Sequence, residues 1–468
     1  MHDTVVIGAG LAGLTCANRL CELGRQVLVL EQGDAADYPC NSRYSGGIVH
    51  VAFKDMRASR EDIQAVIARL SEGAGAADAI ALSSVLAEEG GRALEWMQSH
   101  GAKFVKGGAL EFMRWILAPP RPRRPGLDWK GRGPDVLLRR LTERLREQGG
   151  ELLLDHRVLG GEGGRGAPFR LRVSTSGGMV ELKCRQLVVA DGGFQGNDEL
   201  VRAHISGQPR ALFPRGAATG KGDGLRLAQS LGADTLGLNR FYGHLLGRDV
   251  FENEKLWPYP TVDAIAQSAL LVDAHGRRFV DEGLGGVLMA NEVARLPDPL
   301  GAVAVFDEAI WTGVAADNRY PPCMNPSFVS SGGEVIEAPD LPSLASILGM
   351  EGSVLADTVS EYNRAVLADT TLSLSPPRRR SLTGPQALET PPFRAIRVCA
   401  GMTYTMGGIR VDGRSRVLDT ACEQLPGLYA VGAAAGGMEG GENAIYLGGL
   451  AKAVVTGLRA AETIGGEA

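Results

Sequence analysis

Gly8, Gly10 and Gly13 stand in the spacing G-x-G-x-x-G, and the carboxylate of Glu31 follows 18 residues after the last of them. These residue types at this spacing suit one task, binding a dinucleotide. Gly8 permits a tight turn, Gly10 lets the main chain approach a pyrophosphate, and Gly13 lets a helix lie close to a sheet. Leu11 and Ala12 open that helix, whose unpaired N–H groups and positive dipole end face the phosphates. Glu31, with Gln32 beside it, is placed to bond the ribose hydroxyls.

The elements needed to position these residues are present in order. Residues 3–7 form a short β-branched run that reads as a buried strand. Leu14, Ala17, Leu20 and Leu23 recur at helical spacing, and Gly24 supplies a C-cap. A second apolar strand, residues 26–30, ends at Glu31. Strand, loop, helix, strand and acid within about thirty residues give the full context the fingerprint demands.

Further glycine-rich segments are distributed along the chain. In 39–47, Asn41, Ser42, Ser45, Gly46 and Gly47 are small enough for backbone to meet a flat or phosphorylated ligand, with Arg43 and Tyr44 the large polar groups. Residues 151–158, 169–174 and 180–183 read as strands of a small sheet, and Val158 joins the candidate contacts. The buried strand 187–190 stops at Ala190-Asp191-Gly192-Gly193, where a second approach to the ligand is expected outside its carboxyl end. Amphipathic helices are expected within 57–100 and over 135–148, and residues 119–125 read as a proline- and arginine-rich linker. Gly220 to Gly224 lacks the Walker spacing and reads as a flexible helix start.

From 234 to 369 the βα rhythm gives way to short mixed elements, which read as an inserted domain. The basic triplet Arg378-Arg379-Arg380 at its exit reads as a solvated turn. Glycines then return at 401–408, 432–441 and 446–450, where Gly432, Asn443, Leu447, Gly448 and Leu450 flank or open an apolar helix. A ligand contacted by both ends of the chain is long. The layout favours FAD over NAD and an α/β, Rossmann-like FAD-binding domain that is discontinuous in sequence (1–233 and 370–468) around an α+β cap.

Composition narrows the class. At 468 residues the chain exceeds one ordinary core. Its net charge of −5 gives no basic field for nucleic acid or anionic lipid. No apolar run approaches the roughly 20 residues of a bilayer span. The first strand begins at once, leaving no room for a secretory leader. The seven cysteines are scattered without a C-x-x-C pair, so a reduced cytoplasmic protein without metal is expected.

At the N-terminal fingerprint, Asn41-Ser42 to Gly47, 190–194, Gly276 to Glu282, Thr405-Met406-Gly407-Gly408 and 426–430, the chain resembles the flavoprotein family of succinate dehydrogenase, fumarate reductase and 3-ketosteroid dehydrogenase. Asn41 to Tyr44, 279–283 and 401–408 look most like the tricarballylate dehydrogenase branch. The resemblance implies a mobile cap, with a small substrate held between cap and flavin. It also exposes departures. A fumarate reductase carries histidine where Thr403 stands, a proton-delivering arginine a few residues past Glu282 where Gly283-Leu284-Gly285-Gly286 has none, and a carboxylate-clamping arginine where Tyr446 stands. Fumarate reductase and succinate dehydrogenase are therefore rejected. Arg43 lies near the place of the flavin-linking histidine, so non-covalent FAD is expected, and Ala433 replaces a usual ribityl-contacting acid.

Moving hydride between carbon and flavin requires an acid or base at the adjacent carbon. The resemblance places His244 on the substrate side of the cap, with Tyr404 and Tyr446 the phenols near the flavin face. Thr403 is a candidate partner for a substrate oxygen, and Arg43 and the weaker Arg295 for a substrate carboxylate. As a lone histidine His244 is as readily structural, and each tyrosine as readily core packing. The expected activity is FAD-dependent oxidoreduction of a C–C bond next to a carbonyl or carboxylate. The alternatives are a flavin oxidase of an amine or hydroxy acid, a flavoprotein subunit served by an electron-transfer partner, and a non-catalytic flavin scaffold.

Overall fold

The computed structural model describes residues 1–70, 77–164, 166–317, 322–381 and 383–466, with 77–81 given by backbone alone. Strand β1 (His2–Ile7) lies inside an eight-stranded sheet, parallel to β2 (Val27–Leu30) on one side and β4 (Gly178–Val189) on the other. Beyond β2 runs β3 (Glu151–Leu153), and beyond β4 the strand Gln424–Ala430. Residues from the two ends of the chain thus share one sheet.

Helix α1 (Leu11–Glu22) follows β1 and packs under α4 (Gly449–Gly466), the last helix, and against α2 (Gly133–Glu147). The contact with α4 is tight, since a Cβ at Gly457 would meet the Ala12 carbonyl oxygen at 2.7 Å. Gly24, at φ +76°, ends α1 as its spacing implied.

The strands expected at 180–183 and 187–190 are one strand, β4. Its outer half pairs antiparallel with Ala167–Thr175 and is largely exposed, whereas Leu187, Val188 and Val189 are buried between β1 and Gln424–Ala430. Burial changes along a single strand, so the polar outer half read as a separate element.

A second sheet of six strands forms the core of the cap. Strand β8 (Phe393–Thr405) pairs antiparallel with β5 (Phe241–Gly247) and with β7 (Val303–Asp307), which in turn pairs with β6 (Leu270–Val272). Phe213–Pro214 adds to β8 in parallel. Helix α3 (Gly286–Arg295) lies against β5 and β8. This sheet extends past both expected boundaries, 234 and 369. The glycines after β8 drew its reading toward the nucleotide domain, but hydrogen bonding places β8 in the cap.

The triplet 378–380 is not a solvated turn throughout. Arg378 is fully buried with its Nε 3.6 Å from Glu282 Oε2, and Arg278 also binds Glu282, at 2.7 Å. These pairs tie the cap's exit segment to Gly276–Glu282. Among the described residues no helix is long and apolar enough to cross a membrane.

Candidate active site

At the fingerprint the chain closes on itself. Gly8 has φ +98°, and a Cβ there would lie 2.7 Å from the Ala190 oxygen. A Cβ on Gly13 would lie 2.0 Å from the Gly8 oxygen, so Gly13 serves helix–sheet packing and does not line the cavity. Gly10, by contrast, faces open space, its nearest neighbour being Ser42 Oγ at 3.6 Å. The Glu31 carboxylate accepts bonds from the Ala9 and Gly33 amides, each at 2.9 Å. Burial raises its pKa against those bonds.

From here a cavity of about 1140 Å³ runs to the cap. It is lined by Gly8, Gly10, Leu11, Ala12, Glu31, Gln32, Asn41, Ser42, Ser45, Gly46, Gly47, Val158, Ala190, Asp191, Gly192, Gly432, Asn443 and Leu450. Leu447 and Gly448 lie behind the lining, where the Leu447 amide donates to Glu439 Oε1 at 2.9 Å. Ala433 lines it with no polar group. The residues fit an FAD: a helix N-terminus with an open glycine, a ribose-side carboxylate, and the orphaned Oδ1 of Asp191, buried without a hydrogen-bond partner.

At the far end the register of β5 against β8 sets Tyr242 opposite Tyr404. The Tyr242 ring stacks on Tyr446 with centroids 3.9 Å apart at 17°. His244, two residues along β5, has Nε2 3.0 Å from the Tyr242 hydroxyl, and its Nδ1 bonds the Asp263 carboxylate. Asp263 Oδ1 also accepts from the Leu245 amide at 2.9 Å. The Gly449 amide, at the start of α4, donates to the Tyr446 hydroxyl at 3.2 Å. Tyr404 donates to Glu439 Oε2 at 2.9 Å, and Lys452 Nζ is 3.5 Å from the same oxygen. Burial first, then neighbouring acids and phenols, raises Tyr404 and Tyr446 well above the usual tyrosine value. Burial raises Tyr242 as well.

Four of the five expected chemical residues thus meet at one end of the cavity: Thr403, Tyr404, Tyr446 and His244. Arg43 is the correction. Its guanidinium is 1% exposed, pairs with Asp135 at 3.3 Å, lies 4.2 Å from the Tyr38 ring centroid, and does not line the cavity. On the one-turn helix Asn41–Tyr44, Asn41 and Ser42 face the cavity, which turns Arg43 into the protein. Arg295 is also outside, bonded to Asn239 O and Glu292.

Sequence reasoning missed Tyr242, Asp263, Arg121, Arg123, Arg215 and Tyr259, all of which line the cavity. Alternation along Phe241-Tyr242-Gly243-His244 was a usable signal, since it puts Tyr242 on the face of His244. The linker reading of 119–125 hid Arg121 and Arg123, and nothing local marked Asp263.

The family model described as "FAD binding domain" matches residues 3–444. The chain belongs to that family. It is 24% identical over 463 residues to "Fumarate reductase (cytochrome)" of Shewanella frigidimarina, covering 95% of this chain and 75% of that protein. To "4-oxocyclohexanecarboxylate 2-dehydrogenase" of Sinomonas cyclohexanicum it is 26% identical, covering 92% and 87%. Its fold matches 3-ketosteroid Δ1-dehydrogenase from Sterolibacterium denitrificans with a TM-score of 0.71 at 18% identity, across 100% of both chains. This FAD-binding chain is an oxidoreductase of CH–CH bonds.

Proposed function

We propose that the chain desaturates a small carbonyl compound held between cap and flavin, removing hydrogen from the two carbons next to the carbonyl. The observation that carries this reading is the line Asp263–His244–Tyr242 ending beside Tyr446, whose oxygen is backed by the Gly449 amide. Tyr446 donates its hydroxyl proton to the substrate carbonyl oxygen and so acidifies the α-carbon. Tyr242 removes the α-proton as its own phenol proton passes to His244 Nε2, and Asp263 stabilises the imidazolium at Nδ1. Bound FAD supplies the acceptor for the hydride from the β-carbon. The proton leaves through His244, so both hydrogens are accounted for, and the same groups run the reduction in reverse.

Support also comes from the positions the chain has changed. In place of an arginine, Gly286 lies where a Cβ would fall 2.2 Å from the Asp263 carboxyl carbon, so the cap's acid–base group is the Asp263–His244 pair. The Sinomonas relative is named for dehydrogenation beside a ketone. FAD is held without a covalent bond, since Arg43 lies near the place where the family carries its flavin-linking histidine. Reoxidation falls to an electron-transfer partner.

The test is anaerobic titration of the FAD-loaded protein with saturated ketones and oxo acids, following loss of flavin absorbance. Bleaching by these, with the enone recovered, supports the reading. Bleaching only by amines or hydroxy acids, with hydrogen peroxide formed in air, would replace it with an oxidase. FAD that stays in the pellet on acid precipitation would refute non-covalent attachment.

A further inference from the structure

Six arginines are buried among the described residues. Four have carboxylate partners: Arg43 with Asp135, Arg240 with Glu292, Arg378 with Glu282, and Arg394 with Glu308 and Glu337. The other two, Arg121 and Arg215, have none, and both line the cavity. Arg215 Nη1 donates to Thr403 Oγ1 at 3.0 Å and Nη2 to Pro258 O at 3.4 Å, while its Nε is buried without a partner. Arg121 donates to Tyr44 O and lies over the Tyr259 ring, 5.4 Å from its centroid, with Nη2 3.5 Å from the Tyr259 hydroxyl. Arg123, from the same loop as Arg121, also lines the cavity and leaves Nη2 buried without a partner.

A buried guanidinium without a carboxylate partner is costly, and two of them beside the half-buried Arg123 around one space call for an anion. Tyr259 reports their field. Burial raises its phenol, yet Arg121 and Arg215, with Arg123 behind them, outweigh burial and hold it below the usual value. The group lies at the catalytic end of the cavity, because Arg215 is bonded to the residue before Tyr404 and its charge acts on Tyr242. The fingerprint meets the cofactor phosphates at the other end, at Gly10 and the start of α1.

We propose that Arg121, Arg123 and Arg215, with the Tyr259 hydroxyl, form a carboxylate subsite, so that the substrate is an oxo acid whose carboxylate lies here and whose carbonyl lies at Tyr446 and Gly449. The inference rests on the reading of Tyr446 and Gly449 as the carbonyl end. It assigns recognition to positions other than Thr403, 283–286 and Tyr446. Planar guanidinium forks match a carboxylate in two parallel bonds, which ammonium or amide groups do not.

The test is difference spectroscopy of the FAD-loaded enzyme with benzoate and its uncharged isostere benzamide. Benzoate is expected to bind at least about tenfold more tightly, the scale of one charge-assisted contact. Arg215→Gln and Arg123→Gln should each abolish that preference and leave benzamide binding and FAD content unchanged. Arg123 is half-buried, so its variant stands if Arg215→Gln fails to fold. Equal affinities in the wild type, or variants that shed FAD while keeping the benzoate preference, would overturn the subsite; the latter would assign the arginines to the cofactor. Tyr242→Phe should lose turnover and keep the preference. A benzoate preference in an enzyme that turns over no carbonyl compound would sink the catalytic reading and its carbonyl end, leaving the anion site in place.

Discussion

His244 Nε2 lies 3.0 Å from the hydroxyl of Tyr242, two residues earlier on the same strand face, while Asp263 bonds the other ring nitrogen. The carboxylate at Nδ1 sets the tautomer in which Nε2 accepts from the phenol. Tyr242→Phe should therefore slow flavin reduction by about 10²–10³-fold with little change in substrate affinity, as read by stopped-flow absorbance. Asp263→Asn should keep the phenol but cut the rate by a smaller factor and move its pH profile. A rate that ignores both changes would remove the relay.

Gly286 packs against the acid of the proposed relay. A Cβ there would fall 2.2–2.4 Å from the atoms of the Asp263 carboxylate, which must then move. Gly286→Ala should lower the reduction rate by about tenfold or more while FAD content stays complete. Unchanged kinetics would show that Asp263 can shift without cost.

Glu31 should govern cofactor affinity without touching chemistry. Glu31→Ala removes a charged acceptor, a loss of about 1.5–3 kcal/mol, so the FAD dissociation constant should rise by about ten- to a hundredfold. Fluorescence titration of the apoprotein reads this directly, and saturating FAD should restore the full rate.

Glu439 and Lys452 form a buried pair that also receives the Tyr404 hydroxyl. Burial lowers the Lys452 pKa, and Glu439 opposes that shift. Lys452→Met leaves the acid buried and unpaired, and should cost about 3–5 kcal/mol by denaturant unfolding. Adding Glu439→Gln should recover much of the loss. A double variant no more stable than Lys452→Met would show that the pair is not coupled.

His50 should set the acid limb of stability. Burial lowers its pKa from 6.5 to about 4, so between these values the unfolded chain binds the extra proton. Stability then rises with pH across this window and is lost as pH falls from 6.5 toward about 4, by about 2 kcal/mol at pH 5 for this group. His50→Asn, keeping an acceptor for the Phe53 amide, should flatten the difference between unfolding at pH 5 and pH 7. An equally steep variant would assign the slope to other groups.

The nucleotide half was legible because its signals are local. Turn, helix start and terminal acid of the fingerprint follow one another within 31 residues, and each needs a particular residue type for reasons of backbone geometry. The return of glycines after residue 400 likewise pointed to a ligand shared by both termini, and residues from both segments line one cavity. Boundaries were less legible: hydrogen bonding, not composition, assigns Phe393–Thr405 to the cap sheet.

The chemistry was decided in three dimensions. Arg43 looked like a clamp because it is a large polar group in a loop of small and hydroxyl residues, but one helical turn points it at Asp135. Arg121 and Arg123 looked like linker residues, and Asp263 carried no pattern at all. Dinucleotide affinity is encoded in consecutive residues, since a phosphate cradle is made of backbone. The proposed proton path and anion site are made of side chains: the fold of the cap brings Asp263 to His244, 19 positions away, and the packing of cap on nucleotide domain brings Arg121 to Tyr259, 138 positions away.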